Sequence, residues 1–166
     1  MSRVELSVLV PASLPEVFAY ASDWRRWSEW FEGVSGFRPI TEVARGNGAR
    51  YAYTARLMGF QADVVTEIAD FVENAGWTGI ARKGMPHTVY WHFEPCGDQT
   101  RFTYALEYRV PVSVLGGLLD SIILNPQWHQ IIPQWHQIIE ASLGNLKRRF
   151  ESSFATVQPV KTDDGA

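Results

Sequence analysis

The hydrophobic period of this chain changes in a fixed order, and that order limits what it can fold into. One alternating segment comes first, then a short tryptophan-dense stretch with helical spacing, then a long run of alternating aromatic-rich segments, and last a long amphipathic helix pattern. Alternation puts every second side chain on one face of a sheet, and a 3.6-residue period puts an apolar stripe on a helix. A curved antiparallel sheet with one apolar face, covered by a single long helix, encloses space that its own side chains need not fill. The order therefore predicts a cavity for a hydrophobic small molecule, and it specifies no reaction.

Val4, Leu6, Val8 and Val10 alternate with Arg3, Glu5 and Ser7, as a half-buried first strand requires. Pro11 ends it. Ser13-Leu14-Pro15-Glu16 reads as a capping box for a helix through Val17, Phe18 and Tyr20. Asp23 caps a second short helix that sets Trp24, Trp27 and Trp30 or Phe31 along one side. From Phe37 the period is two. A strand is expected over 37 to 44, and Gly46-Asn47-Gly48 reads as a tight hairpin turn, because glycine and asparagine tolerate positive φ. The next strand carries Tyr51, Tyr53, Ala55 and Leu57 on one face and is broken by Gly59. Phe60, Ala62, Val64, Thr66 and Ile68 then alternate against Gln61, Asp63 and Glu67. Beyond the turn at Asn74-Ala75-Gly76, Trp77 to Arg82 is a weaker, glycine-containing strand, followed by one with Val89, Trp91 and Phe93 on its inner face. After Cys96-Gly97-Asp98 the last strand sets Phe102, Tyr104, Leu106 and Tyr108 against Arg101, Thr103, Glu107 and Arg109.

The remainder has helical spacing. Val114, Leu115, Leu118, Leu119, Ile122 and Ile123 form one stretch, weakened at Gly116-Gly117 by about 1 kcal/mol per glycine. Asn125-Pro126 restarts the helix, and Ile131, Trp135, Ile138, Ser142, Leu146 and Phe150 continue on one face. Within it the heptapeptide PQWHQII occurs twice in tandem, at 126–132 and 133–139. Seven residues are nearly two helical turns, about 10.5 Å, so the duplication keeps the buried stripe almost in register. Pro133 inside a continuous helix costs roughly 3 kcal/mol, which predicts a kink or break near Ile132. The chain turns polar from about Thr156, so residues 156–166 are expected to be a disordered tail behind a single domain over 1–155.

With 166 residues the chain is the size of one folding unit. Its 7 Trp, 6 Tyr and 9 Phe exceed what such a core requires, so some rings are expected to line a site. A net charge of −3 supplies no basic footprint for nucleic acid, and no stretch reaches the roughly 20 apolar residues of a membrane-spanning helix. A single cysteine, Cys96, forms no internal disulfide, and no signal-peptide pattern opens the chain. A cytoplasmic location is the expectation.

Catalytic and metal motifs are sparse. His129 and His136 lie about 10 Å apart on a straight helix, too far to share one ion, and His87 and His92 point to opposite faces of a strand. Without CxxC or HExxH, neither a metal nor another cofactor is expected. No nucleophile elbow surrounds any serine, and Gly46-Asn47-Gly48 lacks the lysine and following helix of a phosphate loop. What remains is an inner face of hydroxyl-tipped aromatics: Tyr51, Tyr53, Tyr104 and Tyr108, with Trp77 and Trp91. Leu57 from the sheet and Leu118, Ile122 and Trp135 from the helix complete the expected ligand-binding set. Aromatic walls with a few polar tips suit a flat or polycyclic apolar ligand. The competing reading is that these rings fill the core and their hydroxyls reach solvent at its rim. A reaction in such a site would be proton transfer on an enolisable carbonyl, a tyrosine donating and a histidine or carboxylate accepting. His92 and Asp63 fall on the polar sides of their strands, which counts against both as buried bases.

PASLPEVFAYASDWRRWSEWF, GNGARYAY, the strand pair VYWHFEP and TRFTYALEYRVP, and ASLGNLKRRFE together resemble the SRPBCC (START/pollen-allergen-like) superfamily, in particular its bacterial polyketide cyclase/dehydrase-like members. The resemblance spans residues 3 to 154. It implies an α+β helix-grip fold, a seven-stranded curved antiparallel sheet around a long C-terminal helix with two short helices after the first strand, and a pocket between sheet and helix. It assigns no catalytic residue, because no catalytic motif matches. The leading expectation is a carrier or sensor for a lipid, quinone or polyketide-like molecule. Two alternatives are a polyketide aromatase/cyclase using the same pocket and an interaction module whose duplicated helix docks a partner or a second copy as a homodimer.

Overall fold

The computed structural model describes residues 2–57, 60–108 and 128–154, with the side chains of 57, 60, 128–133, 153 and 154 excepted. Leu118, Ile122, Gly59, the Val114–Ile123 pattern and the polar tail lie outside the described residues. The elements are β1 (Ser2–Val10), α1 (Leu14–Ala21), a 3₁₀ turn (Trp24–Arg26), α2 (Trp27–Trp30), β2 (Val34–Pro39), β3 (Arg50–Leu57), β4 (Phe60–Val72), β5 (Gly76–Lys83), β6 (His87–Cys96), β7 (Gln99–Tyr108) and α3 (Trp128–Phe154). All strand pairs are antiparallel, in the order β1-β7-β6-β5-β4-β3-β2, and the sheet curls into a half-barrel. This is the helix-grip arrangement the resemblance implies.

Local chemistry sets most boundaries. Glu16 accepts from the Ser13 N–H at 3.2 Å and the Ser13 hydroxyl at 2.7 Å, which starts α1, and Asp23 accepts from the Arg25 N–H at 3.1 Å to open the 3₁₀ turn. Gly97, at φ +64°, closes the two-residue turn between the paired Cys96 and Gln99, and Asn74, at φ +59°, turns β4 into β5.

The second strand differs from expectation. It runs Val34–Pro39 rather than over 37 to 44. Gly46-Asn47-Gly48 does make a tight turn with both glycines at positive φ, the Ala49 N–H donating to the Gly46 carbonyl at 3.1 Å, but it is not a hairpin tip, because the loop from Ile40 to Ala49 separates β2 from β3. The apolar spacing misleads here: Ile40 and Val43 are about half exposed. Side chains organise the loop instead. Thr41 accepts from the Arg50 N–H at 2.9 Å and donates to the Val43 carbonyl at 2.8 Å, and Asn47 accepts from the Phe71 N–H at 2.8 Å.

The second correction concerns Pro133. Of the kink or break expected near Ile132 the break is absent, and α3 runs unbroken from Trp128 to Phe154. Proline forfeits one backbone hydrogen bond near the start of the helix and leaves the later ladder intact. External contacts hold that later part. Ser142, 1% exposed within the apolar stripe, accepts from the Glu32 N–H at 2.9 Å. Asn145 donates to the Trp30 carbonyl at 3.2 Å and to Glu32 at 2.8 Å, and Arg149 and Tyr20 both donate to Glu29, at 2.8 and 2.7 Å.

Trp30, 1% exposed, lies between α3 and the sheet with Phe31, Trp91 and Phe102 at ring distances of 5.2, 5.4 and 6.2 Å. Trp30→Ala is expected to cost about 3–5 kcal/mol in urea unfolding, and a loss below about 1 kcal/mol would show that this ring does not hold the helices to the sheet. Gly76 sits at φ +146°, where an added Cβ would lie 1.9 Å from the Trp91 carbonyl oxygen. Gly76→Ala should therefore lower the unfolding midpoint far more than Gly97→Ala, whose Cβ meets nothing and which bears only the ~1–2 kcal/mol of left-handed backbone. Equal midpoints would contradict this reading.

Candidate functional site

The concave face has two chemically different parts. Over one part the short helices press their rings onto the sheet. Phe18 meets Phe71, Trp77 and Phe93 at 5.8, 5.8 and 5.1 Å, and Trp27 meets Phe37, Tyr51 and Trp91 at 5.2, 4.8 and 5.9 Å. Trp77 stacks on Trp91 at 4.4 Å, and Phe93 on Phe102 at 4.4 Å. Most of these contacts are edge-to-face or offset stacks, which suit the ring quadrupoles. Tyr51, Trp77 and Trp91 thus have ring neighbours on several sides. Burial pushes the Tyr51 phenol up to about 12, and its hydroxyl donates to the Ala44 carbonyl. A cleft of about 10 Å³ opens here between Ser22, Trp27, Arg45, Gly46, Tyr51, Ile68, Phe71 and Trp77, room for one water-sized group.

The other part carries polar groups among apolar ones. Tyr53 packs on Phe37 at 5.0 Å, and its hydroxyl lies 3.1 Å from the Thr66 hydroxyl. Tyr104 packs on Phe31 and Trp91 at 5.6 and 5.7 Å. Burial raises the pKa of both Tyr53 and Tyr104, and for Tyr104 the nearby Tyr53 phenol adds to the effect. Both stay neutral hydroxyls at physiological pH. Tyr108 is 4% exposed, and its hydroxyl is buried without a hydrogen-bond partner. The Trp135 indole N–H, on the α3 stripe one turn before Ile138 and Ile139, is buried and unpartnered too, as is that of Trp30. Buried polar atoms are nearly always satisfied, so unsatisfied ones call for an account.

His87 joins this part of the face. It lies directly opposite Tyr108 in the β6–β7 ladder, and its position alternates with Val89, Trp91 and Phe93 on the inner side. Its Nδ1–H donates to the Met85 carbonyl at 2.8 Å, since a carbonyl can only accept, which leaves Nε2 as the acceptor. Burial lowers its pKa, with the Met85 carbonyl opposing, so the ring favours its neutral form. The sequence carries this signal in its alternation, but weighing His87 only as a partner for His92 hides it. His92 is exposed, 3.8 Å from Glu94.

Of the expected ligand-binding set, Tyr53, Tyr104 and Tyr108 fall in the polar part, Tyr51, Trp77 and Trp91 in the ring-packed part, and Trp135 on the α3 stripe packed against the core. Leu57 lies on β3, and its side chain is outside the described residues, as are Leu118 and Ile122. Among the described residues charge is kept off this face. Among the described residues the buried polar side chains outside the aromatics are Ser22, Thr66, Thr100 and Ser142, none of them ionisable. The strand charges instead pair with one another, as in Arg3–Glu107 at 2.5 Å, Arg50–Glu67 at 2.6 Å and Arg101–Glu94 at 3.3 Å. No helix among the described residues is long and apolar enough to cross a membrane.

Comparison with known proteins agrees with this architecture. A crystal structure of a Thermus thermophilus protein superposes with a TM-score of 0.69 at 19% identity, covering 92% of this chain and 99% of that one. A START superfamily protein from Mycobacterium smegmatis gives 0.66 at 16% identity, over 91% of this chain and 98% of that one. A Deinococcus radiodurans protein gives 0.65 at 12%, over 92% and 99%. A search of curated proteins finds no match. The match by sequence is to the family described as polyketide cyclase/dehydrase and lipid transport, and it extends over residues 1–151. With that span and this sheet-and-helix grip, the chain belongs to the polyketide cyclase/dehydrase and lipid transport family.

Proposed function

We propose that the protein binds a hydrophobic small molecule between the polar part of the concave face and α3, as a carrier or sensor. The observation that carries this reading is the buried, unpartnered Tyr108 hydroxyl on the concave face, with the buried, unpartnered Trp135 N–H on the α3 stripe beside it in kind. A side chain kept only for packing does not need these atoms, and leaving each unsatisfied costs roughly 1–3 kcal/mol. A guest with a polar end offsets that cost while its apolar body covers the wall. The family's lipid-transport description and the START-like grip support a hydrophobic ligand in general. Native mass spectrometry of protein purified without detergent is expected to show an added small-molecule mass, released by organic solvent. A bare polypeptide mass, together with an empty solvent extract, would contradict the proposal.

A second reading, a polyketide aromatase/cyclase, is favoured by one specific feature. Tyr53 and Tyr104 are buried neutral phenols that can donate, and His87 offers a neutral ring nitrogen that can accept. On this reading Tyr53→Phe and Tyr104→Phe abolish cyclisation of a linear poly-β-ketone while binding persists. An unchanged product profile removes it.

A further inference from the structure

The binding reading leaves open what the polar end of the guest is, and the groups around Tyr108 narrow it. His87 and Tyr108 are cross-strand partners, and directly opposed side chains in an antiparallel pair share a face with their Cβ atoms about 4.5–5.5 Å apart. They do not hydrogen-bond to each other: the Tyr108 hydroxyl has no partner, and His87 Nδ1–H is spent on the Met85 carbonyl. The pair therefore presents one unused donor and one unused acceptor from facing positions of the same sheet face.

A carboxylate or phosphate only accepts, so it would leave a neutral His87 Nε2 unanswered, and among the described residues only a protonated His87, a form that its burial disfavours, would meet the buried charge. Apart from His87 and the tyrosines, no described ionisable side chain is buried on the concave face, and the arginines of the described strands are exposed, several of them paired with glutamates. Burying an unpaired carboxylate is among the most costly changes a protein interior can suffer. A bare hydrocarbon would leave both groups unmet. A hydroxyl answers both, because it donates one hydrogen bond and accepts another.

We infer that the guest is a neutral apolar molecule carrying a hydroxyl, phenolic or alcoholic, and that His87 Nε2 accepts its proton while the Tyr108 hydroxyl donates to its oxygen. This rests on the binding reading above. It makes Tyr108 a specificity residue rather than a structural one. Its hydroxyl is then retained for the guest at the expense of the empty protein's stability.

The test uses three probes of nearly one shape, 2-naphthol, 2-methylnaphthalene and 2-naphthoate, titrated calorimetrically into the full chain. Two net hydrogen bonds correspond to about a tenfold preference for the naphthol over the methyl compound, and the naphthoate is expected to bind weakest. Tyr108→Phe and His87→Leu should each reduce the preference for the naphthol over the methyl compound to within a few-fold. Thermal unfolding separates this from a structural role: without probe, Tyr108→Phe should melt at or above the parent temperature, since it deletes an unpartnered hydroxyl. Equal binding of naphthol and methylnaphthalene overturns the hydroxyl anchor while the apolar site stands. Preferred binding of naphthoate overturns the neutral class. Failure of all three probes, with a bare mass in the native spectrum, overturns the binding reading and this inference together. A preference for naphthol that survives both substitutions places the anchor elsewhere and overturns the assignment.

Discussion

The packing of Trp27, Trp30 and Phe31 against Trp91 divides the molecule. A curled seven-stranded sheet has more concave surface than one helix can cover, and these rings fill the part beneath the short helices. Trp91 takes the centre, against Trp27, Trp30, Phe31, Trp77, Phe102 and Tyr104. Dispersion and quadrupole geometry make such a cluster dense and unyielding. On the proposed binding reading its consequence is functional as well as structural, because it leaves to a guest the part of the face where Tyr53, His87, Tyr104 and Tyr108 alternate with apolar residues. The short helices are in turn tied to α3 through Glu29, Glu32, Ser142 and Asn145, so the same elements that fill one region fix the position of the helix.

Much of this is legible in the residues. Strict alternation in β3, β4, β6 and β7 identifies the inner face, since a period of two allows only one set of side chains to be buried. The serine in the α3 stripe is legible as a position, though not as a bond, because the Glu32 N–H that it meets is far away in sequence. Two features mislead for physical reasons. Apolar spacing at Ile40 and Val43 imitates a strand, but the chain there is a loop held by Thr41 and Asn47, and its apolar side chains face outward. Pro133 imitates a helix end, yet the missing bond is local and distant contacts keep the helix continuous.

The candidate site is less legible than the fold. Periodicity marks Tyr53, Tyr104 and Tyr108 as inward, but it assigns Tyr51, Trp77 and Trp91 the same role, because alternation reports which face a ring occupies and not whether another ring covers it. Only three-dimensional packing separates the two groups. His87 is visible by its alternation with Val89, Trp91 and Phe93, but its meaning depends on Tyr108 standing opposite and on the Met85 carbonyl fixing its tautomer, neither of which a linear pattern contains.

A buried donor without a partner costs stability, and at Tyr108 the proposal sets that cost against occupancy by a guest. That trade between stability and occupancy is the core of the account, and where a guest lodges is its most direct test. Amide and indole chemical-shift mapping with 2-naphthol should move Tyr53, Thr66, His87, Tyr104, Tyr108 and the Trp135 indole while leaving Trp77 and Phe93 in place. Shifts concentrated around Ser22, Arg45 and Phe71, or spread over the convex face, would contradict it.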